Sequence, residues 1–240
     1  MALPLNSTPV YSLVIPSTKK SVNFRPFLVK DQKALLLAQQ SESDKVMVDT
    51  LKTVIKSCIT EPIDIDSLAM FDLEYIFTQL RAKSVGETVD LIMSCDVDHG
   101  EQNKNAKVQV KVDLNQIQVT SKDDHDKKIP LWGDVGIVMK YPSVDTLKKF
   151  QTINESDTDG IFNMISQSIE YIYNSDEIFH TKDQSKEEMS EFVNNLTTEQ
   201  FQKIQHFFET MPKLSYDVNY TCPVCSKHHV ARLEGMDSFF

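Results

Sequence analysis

The chain has 240 residues, of which 40% are hydrophobic and 25% are charged, and its formal net charge is −10. This length and composition are typical of a globular protein with one substantial core or two small lobes, and argue against a disordered chain. General nucleic-acid binding is not expected, because phosphate contacts require clustered lysine and arginine. Neither a signal peptide nor a membrane helix is predicted, since the longest clean apolar run covers residues 34–38. We therefore expect folding in a cytoplasm and no membrane partner.

Residues 1–29 are predicted to form an extended N-terminal arm. An apolar segment at residues 11–15 ends at Pro16, and a second one at residues 22–24 ends before Pro26. Because proline removes a donor from the strand ladder, these segments suit edge strands. An arm that binds a neighbouring protein is the alternative reading.

Residues 30–86 are predicted to be helical, because their apolar side chains recur at three- and four-residue spacing. Asp31 and Asp66 are expected to cap the first and third helices, and Asp44 is expected to open the second. Cys58 falls on the apolar face of the second helix. It is therefore interpreted as a small core residue.

The apolar spacing changes from three or four residues to two near residue 87, which predicts a sheet over residues 87–141. Alternating apolar residues predict strands over residues 89–95 and 108–119, joined by a polar connection at residues 96–107. A third strand is expected within residues 129–141. Such alternation is typical of an antiparallel sheet that is buried on one face.

Helical spacing returns over residues 142–212, starting with an apolar stripe from Ile161 to Ile172 that Asp157 or Asp159 would cap. Residues 213–240 again alternate and form a terminal strand and knuckle. The sequence thus predicts an α+β protein in which helical bundle segments flank a small antiparallel sheet, with a C-terminal zinc-knuckle-like strand pair. Residues 30–240 are expected to form a single domain. Two capping boxes are predicted, Ser185 with Glu188 and Thr197 with Gln200.

The sharpest local motif is the pair Cys222 and Cys225, which lies between two strand-like runs. Two thiolates at this spacing can bind one zinc ion across a tight turn, and a structural site needs two more ligands. Cys95 and His99 are the candidates, which predicts one structural Zn²⁺. The alternative is that the thiols are reduced and carry no metal. The residues that could replace His99 are His228 and His229.

No enzyme motif is present. The chain lacks the glycine-rich phosphate loops, the hydrolase elbow and the zinc-protease helix motif. Residues 155–160 resemble the start of a calcium loop, but Ser166 stands where that loop requires a glutamate. A redox role for the knuckle is also disfavoured, because reactive cysteine pairs open a helix and this pair lies at a predicted hairpin tip. We expect that the protein is not an enzyme.

Several segments together resemble the baseplate-hub and baseplate-hub assembly proteins of T-even-type contractile-tail bacteriophages. The resemblance runs from about residue 20 to the C-terminus and is most specific in the segments at residues 71–75 and 81–87. Members of that family often carry a second cysteine pair after the latter segment, whereas this chain has only Cys95 there. The matching segments are residues 22–27 with Lys30, 35–38, 70–75, 81–87, Cys222 with Cys225, and 233–240.

The resemblance implies a structural or assembly protein of the tail baseplate hub that binds other tail proteins. It would be found in the host cytoplasm during assembly and, for a retained component, in the virion tail baseplate. Arg25 and Phe27 are candidate partner contacts, as are Phe239 and Phe240, whose aromatic rings could enter a pocket of a partner. Intramolecular packing is the alternative for these two rings. The sequence does not predict an oligomeric state.

Two other functions stay open at this point. A zinc-ribbon adaptor for host nucleic-acid machinery would need a basic face, for which Lys227 and Arg232 are the nearby cations. A metal-dependent hydrolase would need an open zinc position and a carboxylate base, for which Glu234 is close in sequence.

Overall fold

The structure is a computed structural model that describes residues 7–41, 43–146 and 158–239. The predictions for residues 1–6, Asp157, the Asp159 side chain and Phe240 lie outside the described residues. The α+β class is confirmed. The α-helices with described bounds are α1 (Val29–Gln40), α2 (Asp44–Cys58), α3 (Met70–Ser84), α4 (Thr158–Ser168), α5 (Lys186–Asn194) and α6 (Thr198–Thr210). The strands are β1 (Tyr11–Val14), β2 (Ser21–Phe24), β3 (Thr88–Ser94), β4 (Lys107–Asp113), β5 (Gln118–Thr120), β6 (Lys128–Trp132), β7 (Val135–Met139), β8 (Ile169–Tyr173), β9 (Ile178–His180), β10 (Lys213–Thr221) and β11 (His228–Glu234).

The predicted small sheet is replaced by four antiparallel sheets within the described residues. Their strand orders are β1-β2, β3-β4, β11-β10-β5 and β6-β7-β8-β9. The chain groups into two compact units, one of residues 1–65, 71–120 and 213–240, and one of residues 66–70 and 121–212. Compact units alone do not establish independent folding, so the single domain over residues 30–240 stays a prediction.

In the first unit, the two predicted extended segments pair with each other as the hairpin β1–β2. Val22 and Phe24 alternate with exposed residues and are buried, as expected for strands with one covered face. A single bridge between Phe24 and Ile59 joins this hairpin to the end of α2. Cys58, the last residue of α2, is fully buried, which confirms its interpretation as a core residue.

The start of α1 depends on the buried carboxylate of Asp31. The prediction that Asp31 is the N-cap is wrong, because the helix begins earlier and Leu28 occupies that position. Asp31 accepts hydrogen bonds from the Leu28 amide, from the Arg25 guanidinium and from the Ser57 hydroxyl, each at 2.9 Å. Burial raises the pKa of Asp31, but these hydrogen bonds and the Arg25 charge outweigh it and hold the pKa below its ordinary value.

The first unit also contains two long hairpins. Strands β3 and β4 pair from Thr88 with Asp113 to Ser94 with Lys107. Strands β10 and β11 pair from Ser215 with Glu234 to Thr221 with His228, and β5 extends this sheet beside β10. The side chains of one core lie between these elements: Ala82, Val112, Leu114, Ile117, Leu214, Val218 and Phe239.

The second unit packs helices against the four-stranded sheet. The predicted strand within residues 129–141 is in fact two strands, β6 and β7, because Gly133 (φ +52°) allows a tight turn between them. The prediction that helix α4 continues to Ile172 is wrong. The helix α4 stops at Ser168 and β8 follows at once. Isoleucine and tyrosine fit a pleated sheet well, so pairing with β7 prevails in the run of residues 169–173.

Both predicted capping boxes are confirmed. The Ser185 hydroxyl accepts from the Glu188 amide at 3.1 Å, and the Glu188 carboxylate accepts from the Ser185 amide at 2.8 Å. Thr197 and Gln200 make the same reciprocal pair at the start of α6. Each box satisfies two amide groups that the first helical turn leaves without a partner.

His125 lies among aromatic rings in the second unit. Its Nδ1 is 3.0 Å from the Thr210 hydroxyl, and its Nε2 is 3.1 Å from the Tyr141 hydroxyl. Because the Thr210 hydroxyl donates to the His206 carbonyl, it accepts from Nδ1, which leaves Nε2 to accept from Tyr141. The imidazole ring is 5.1 Å from the ring of Phe207, so the neutral form is well accommodated.

Acidification should destabilise the protein through His125. Burial lowers the pKa of His125, and the Lys127 charge lowers it further. Its contribution to stability is therefore complete above the ordinary value of 6.5 and is lost as the pH falls through the lower folded-state pKa. Denaturant unfolding at several pH values should show the free energy of unfolding falling below about pH 6.5, with a smaller fall in His125→Phe. The exposed His180, replaced by glutamine, is the control, and equal pH slopes in wild type and His125→Phe would contradict this assignment.

Candidate metal centre

Two hairpin tips of the first unit carry the predicted ligands. Cys95 directly follows β3, and His99 lies in the connection to β4. Cys222 and Cys225 lie in the turn between β10 and β11. That turn is closed by hydrogen bonds of 2.9 Å from the Cys222 amide to the Lys227 carbonyl and from the Ser226 amide to the Cys222 carbonyl.

The structure brings these four predicted ligands together. The sulfurs of Cys95, Cys222 and Cys225 and one ring nitrogen of His99 all lie within 4.8 Å of one another. The Cys95 and Cys225 sulfurs are 3.8 Å apart, and the Cys222 sulfur is 3.5 Å from Nε2 of His99. The cluster could therefore hold one metal ion.

These separations match the edges of a tetrahedral zinc site. Bonds of ~2.3 Å to sulfur and ~2.0 Å to nitrogen place two sulfurs ~3.8 Å apart and a sulfur and a nitrogen ~3.5 Å apart. Three thiols and one imidazole are also a donor set that zinc prefers in structural sites. The residues present fit zinc in both chemistry and spacing.

Backbone amides support negative charge on two of the sulfurs. The Val97 amide is 3.5 Å from the Cys95 sulfur, and the Val224 amide is 3.4 Å from the Cys222 sulfur. Burial raises the pKa of Cys222, but hydrogen bonds from the Cys225 and Val224 amides and from the neighbouring thiols outweigh it and lower the pKa to about 6. Partial burial and the neighbouring thiols raise the pKa of Cys95. These contacts thus favour the thiolate form of Cys222.

Of the two histidines that could replace His99, the structure places His229 beside the cluster. Successive residues of β11 point to opposite faces, so His228 and His229 cannot both face the sulfurs. The ring of His229 stacks on Tyr220, with ring centroids 4.9 Å apart, and its Nε2 is 3.2 Å from the Cys95 sulfur. His228 is exposed and belongs to neither group of potential metal ligands among the described residues.

An ion pair that the sequence analysis missed also joins the two tips. Lys227 donates to both carboxylate oxygens of Asp96 at 2.9 Å, and Nδ1 of His229 is 3.7 Å from the same carboxylate. Hydrogen bonding to Lys227 lowers the pKa of Asp96. Because both side chains are exposed, this pair contributes little stability by itself. No local pattern indicates a pair that is 131 residues apart in sequence.

Three of the four candidate partner contacts lie within the described residues, and each has contacts inside the chain. The Arg25 guanidinium binds Asp31, and the ring of Phe27 is 5.7 Å from that of Phe77. Phe239 is 0% exposed, so its ring packs inside this chain. Phe240 lies beyond the described residues. As contacts to a partner, all four stay predictions.

No helix within the described residues is long and apolar enough to cross a membrane.

The fold and the cluster define an α+β protein whose cysteine and histidine side chains could hold a metal ion at two joined hairpin tips. The chain matches the family described as T4 bacteriophage base plate protein over residues 8–240. It therefore belongs to this family of baseplate proteins, which confirms the resemblance found in the sequence. No curated protein and no solved structure matches the chain.

The metal-free protein should contain one unusually acidic thiol. With Cys222 at a pKa of about 6, the ultraviolet absorbance of thiolate should show one step near that pH. The Cys222→Ser variant should lack this step, because ordinary cysteines titrate at about pH 8.5. Cys58→Ala is the matched control and should keep the step, since burial raises the pKa of Cys58. A wild-type curve without a step below neutral pH would show that the hydrogen bonds to Cys222 do not act as described.

Proposed function

We propose that this chain is a structural or assembly component of the baseplate hub that acts by binding other tail proteins. The observation that carries the proposal is the family match, which covers residues 8–240 and so includes both compact units. The hub assignment is narrower than the family and rests on the resemblance of the segments at residues 71–75 and 81–87.

In this proposal the Cys/His cluster binds one structural zinc ion. Cys95, His99, Cys222 and Cys225 supply four donors, and a tetrahedral site that is filled by protein ligands has no open position for water or substrate. Such a site contributes folding free energy and not catalysis. This supports a protein that binds partners and is not an enzyme.

The zinc ion would act where the fold most needs a cross-link. The hairpin β3–β4 is a separate two-stranded sheet, and every residue of β3 is exposed or only partly buried. A two-stranded hairpin is only marginally stable by itself in water. A metal that joins its tip to the β10–β11 turn would hold both hairpins in one arrangement, as a surface for other proteins requires.

The two alternative functions gain no support from the site. Glu234, the candidate base of a hydrolase, lies at the end of β11 opposite to the knuckle and pairs with Lys213 at 3.1 Å. The cations that an adaptor would offer to nucleic acid are engaged by carboxylates. Lys227 binds Asp96, and the Arg232 guanidinium is 3.3 Å from Glu234.

The proposed role also implies where the protein acts. It would fold and meet its partners in the host cytoplasm during tail assembly. If it is a permanent hub component, it would then remain in the baseplate of the virion tail.

The purified chain should contain about one zinc ion, the number expected for one tetrahedral site. Elemental analysis should find that Cys222→Ser and His99→Gln lose the metal, whereas Cys58→Ala and His228→Gln keep it. Chelation should increase hydrogen exchange first at the tips of β3–β4 and β10–β11, because the ion joins those tips. A wild-type chain that takes up no zinc, or a Cys222→Ser chain that keeps it, would overturn the metal assignment.

The hub assignment can be tested in infected cells. A phage from which this chain has been deleted should accumulate incomplete baseplates that lack the hub, and the chain supplied in trans should restore complete tails. Quantitative mass spectrometry of purified particles then separates the two roles, because a structural component is present in fixed copy number and an assembly factor is absent. Complete, hub-containing baseplates formed without the chain would refute the assignment.

A further inference from the structure

The second unit contains an apolar groove between helix α5 and the sheet edge formed by β8 and β9. Ile172 and Phe179 face each other across these strands and form its floor on the sheet side. Its volume of about 310 Å³ is at the lower end of the range for ligand pockets. A few side chains of a partner would fill a groove of this size. The apolar and aromatic residues that line it are Val135, Ile172, Tyr173, Phe179, Met189 and Phe192.

Large apolar side chains remain exposed around this groove. Phe179, which lines the groove, is 36% exposed. Trp132 is 47% exposed, and its ring is 6.2 Å from that of Phe192 in the groove wall. Exposed aromatic residues grouped around a groove are typical of protein-binding surfaces, where such side chains supply most of the binding energy.

The charge of the second unit indicates the chemistry of a partner. This unit contains 18 aspartate and glutamate residues against 9 lysines and no arginine, a net charge of −9 out of −10 for the chain. The first unit, with 17 acidic and 16 basic residues, is almost neutral. The acidity of the chain is thus a property of the unit that contains the groove.

The acidic residues are concentrated in the elements that form the groove. Residues 170–191, which supply most of β8, all of β9 and most of α5, carry seven acidic side chains and two lysines. Glu188 lines the groove, and Glu187 and Glu191 are exposed on the same helix. A cation also lies near the site, since the Lys128 ammonium is 4.8 Å from the centre of the Tyr173 ring. The surroundings are nevertheless strongly negative.

We propose that this groove binds an amphipathic helix of a partner protein, with apolar side chains on one face and lysine or arginine on its flanks. The apolar face would cover Phe179 and Phe192, and the cations would lie along Glu187 and Glu191. Complementary charge speeds association and selects partners, while the buried apolar contacts supply affinity. That the partner is another baseplate protein rests on the proposed function.

A helix suits the groove better than an added strand. The edge strand β9 offers only three residues for pairing, which is short for strand addition. The groove is instead walled by a helix on one side and by side chains of the sheet on the other. Amphipathic helices bind grooves of this kind through residues spaced three and four apart.

The single tryptophan of the chain, Trp132, provides a reporter at the groove. The probe is a synthetic amphipathic peptide of leucine and lysine, and its control has every lysine replaced by glutamate. Titration with the lysine peptide should shift the Trp132 emission to shorter wavelength and saturate, with affinity that weakens as salt is added. Circular dichroism should show helix gained on binding, whereas a gain of strand signal would refute the helical mode.

Variants test whether binding occurs in the groove. Phe179→Asp should weaken binding at least about tenfold, since it places a charge among the apolar contacts. The double change Glu187→Lys and Glu191→Lys should weaken it by a similar factor. Its matched control, Glu101→Lys with Glu209→Lys, alters the net charge equally at exposed positions outside the acidic elements of residues 170–191 and should bind nearly as wild type.

Equal weakening by both double variants, or equal binding of the glutamate peptide, would overturn the proposal. Each variant should keep the wild-type far-ultraviolet spectrum, which confirms that it folds. The peptide assay uses no phage component, so its failure refutes the groove and leaves the hub assignment standing. Conversely, normal tails from the deletion phage would refute the hub assignment and leave a positive peptide result intact.

Discussion

The first unit depends on the convergence of two hairpin tips that are far apart in sequence. Cys95 and His99 come from one tip and Cys222 and Cys225 from the other, and their donor atoms lie within 4.8 Å of one another. In β3 and β11, two of the strands that lead to these tips, every residue is exposed or only partly buried. A cross-link at the tips therefore restricts the hairpins where packing restricts them least, and both the proposed zinc site and the Asp96–Lys227 pair act there.

The two compact units divide the properties of the protein between them. The first unit is nearly neutral and contains the Cys/His cluster, whereas the second carries almost all of the net charge and contains the apolar groove. A structural cross-link needs no long-range field, because its donors act at bond distance. Selection of a partner does benefit from such a field, because oppositely charged surfaces attract before contact. The binding role that we propose for this member of the baseplate family would use both properties.

Local sequence signals predicted many of the elements but not their boundaries or partners. The capping boxes at Ser185 and Thr197 were predictable, because each is formed by residues three apart. The end of α4 was not, because Ile169 continues the helical stripe and changes to a strand only through pairing with Met139. The same holds for the sheets, since the alternating runs within residues 87–141 give no sign of different partners, while the structure distributes them over three separate sheets.

The sequence by itself determined the α+β class, the baseplate resemblance and the four candidate metal ligands, because spacing and residue chemistry are local properties. Only the tertiary structure decided that Cys95 and His99 meet Cys222 and Cys225, since no local pattern brings together residues more than 120 apart. It also placed His229 and not His228 beside the sulfurs, through the alternation of side chains along β11 and its register with Tyr220. Phe239 is buried and not exposed for the same reason, because the burial of a side chain depends on what the rest of the chain packs around it.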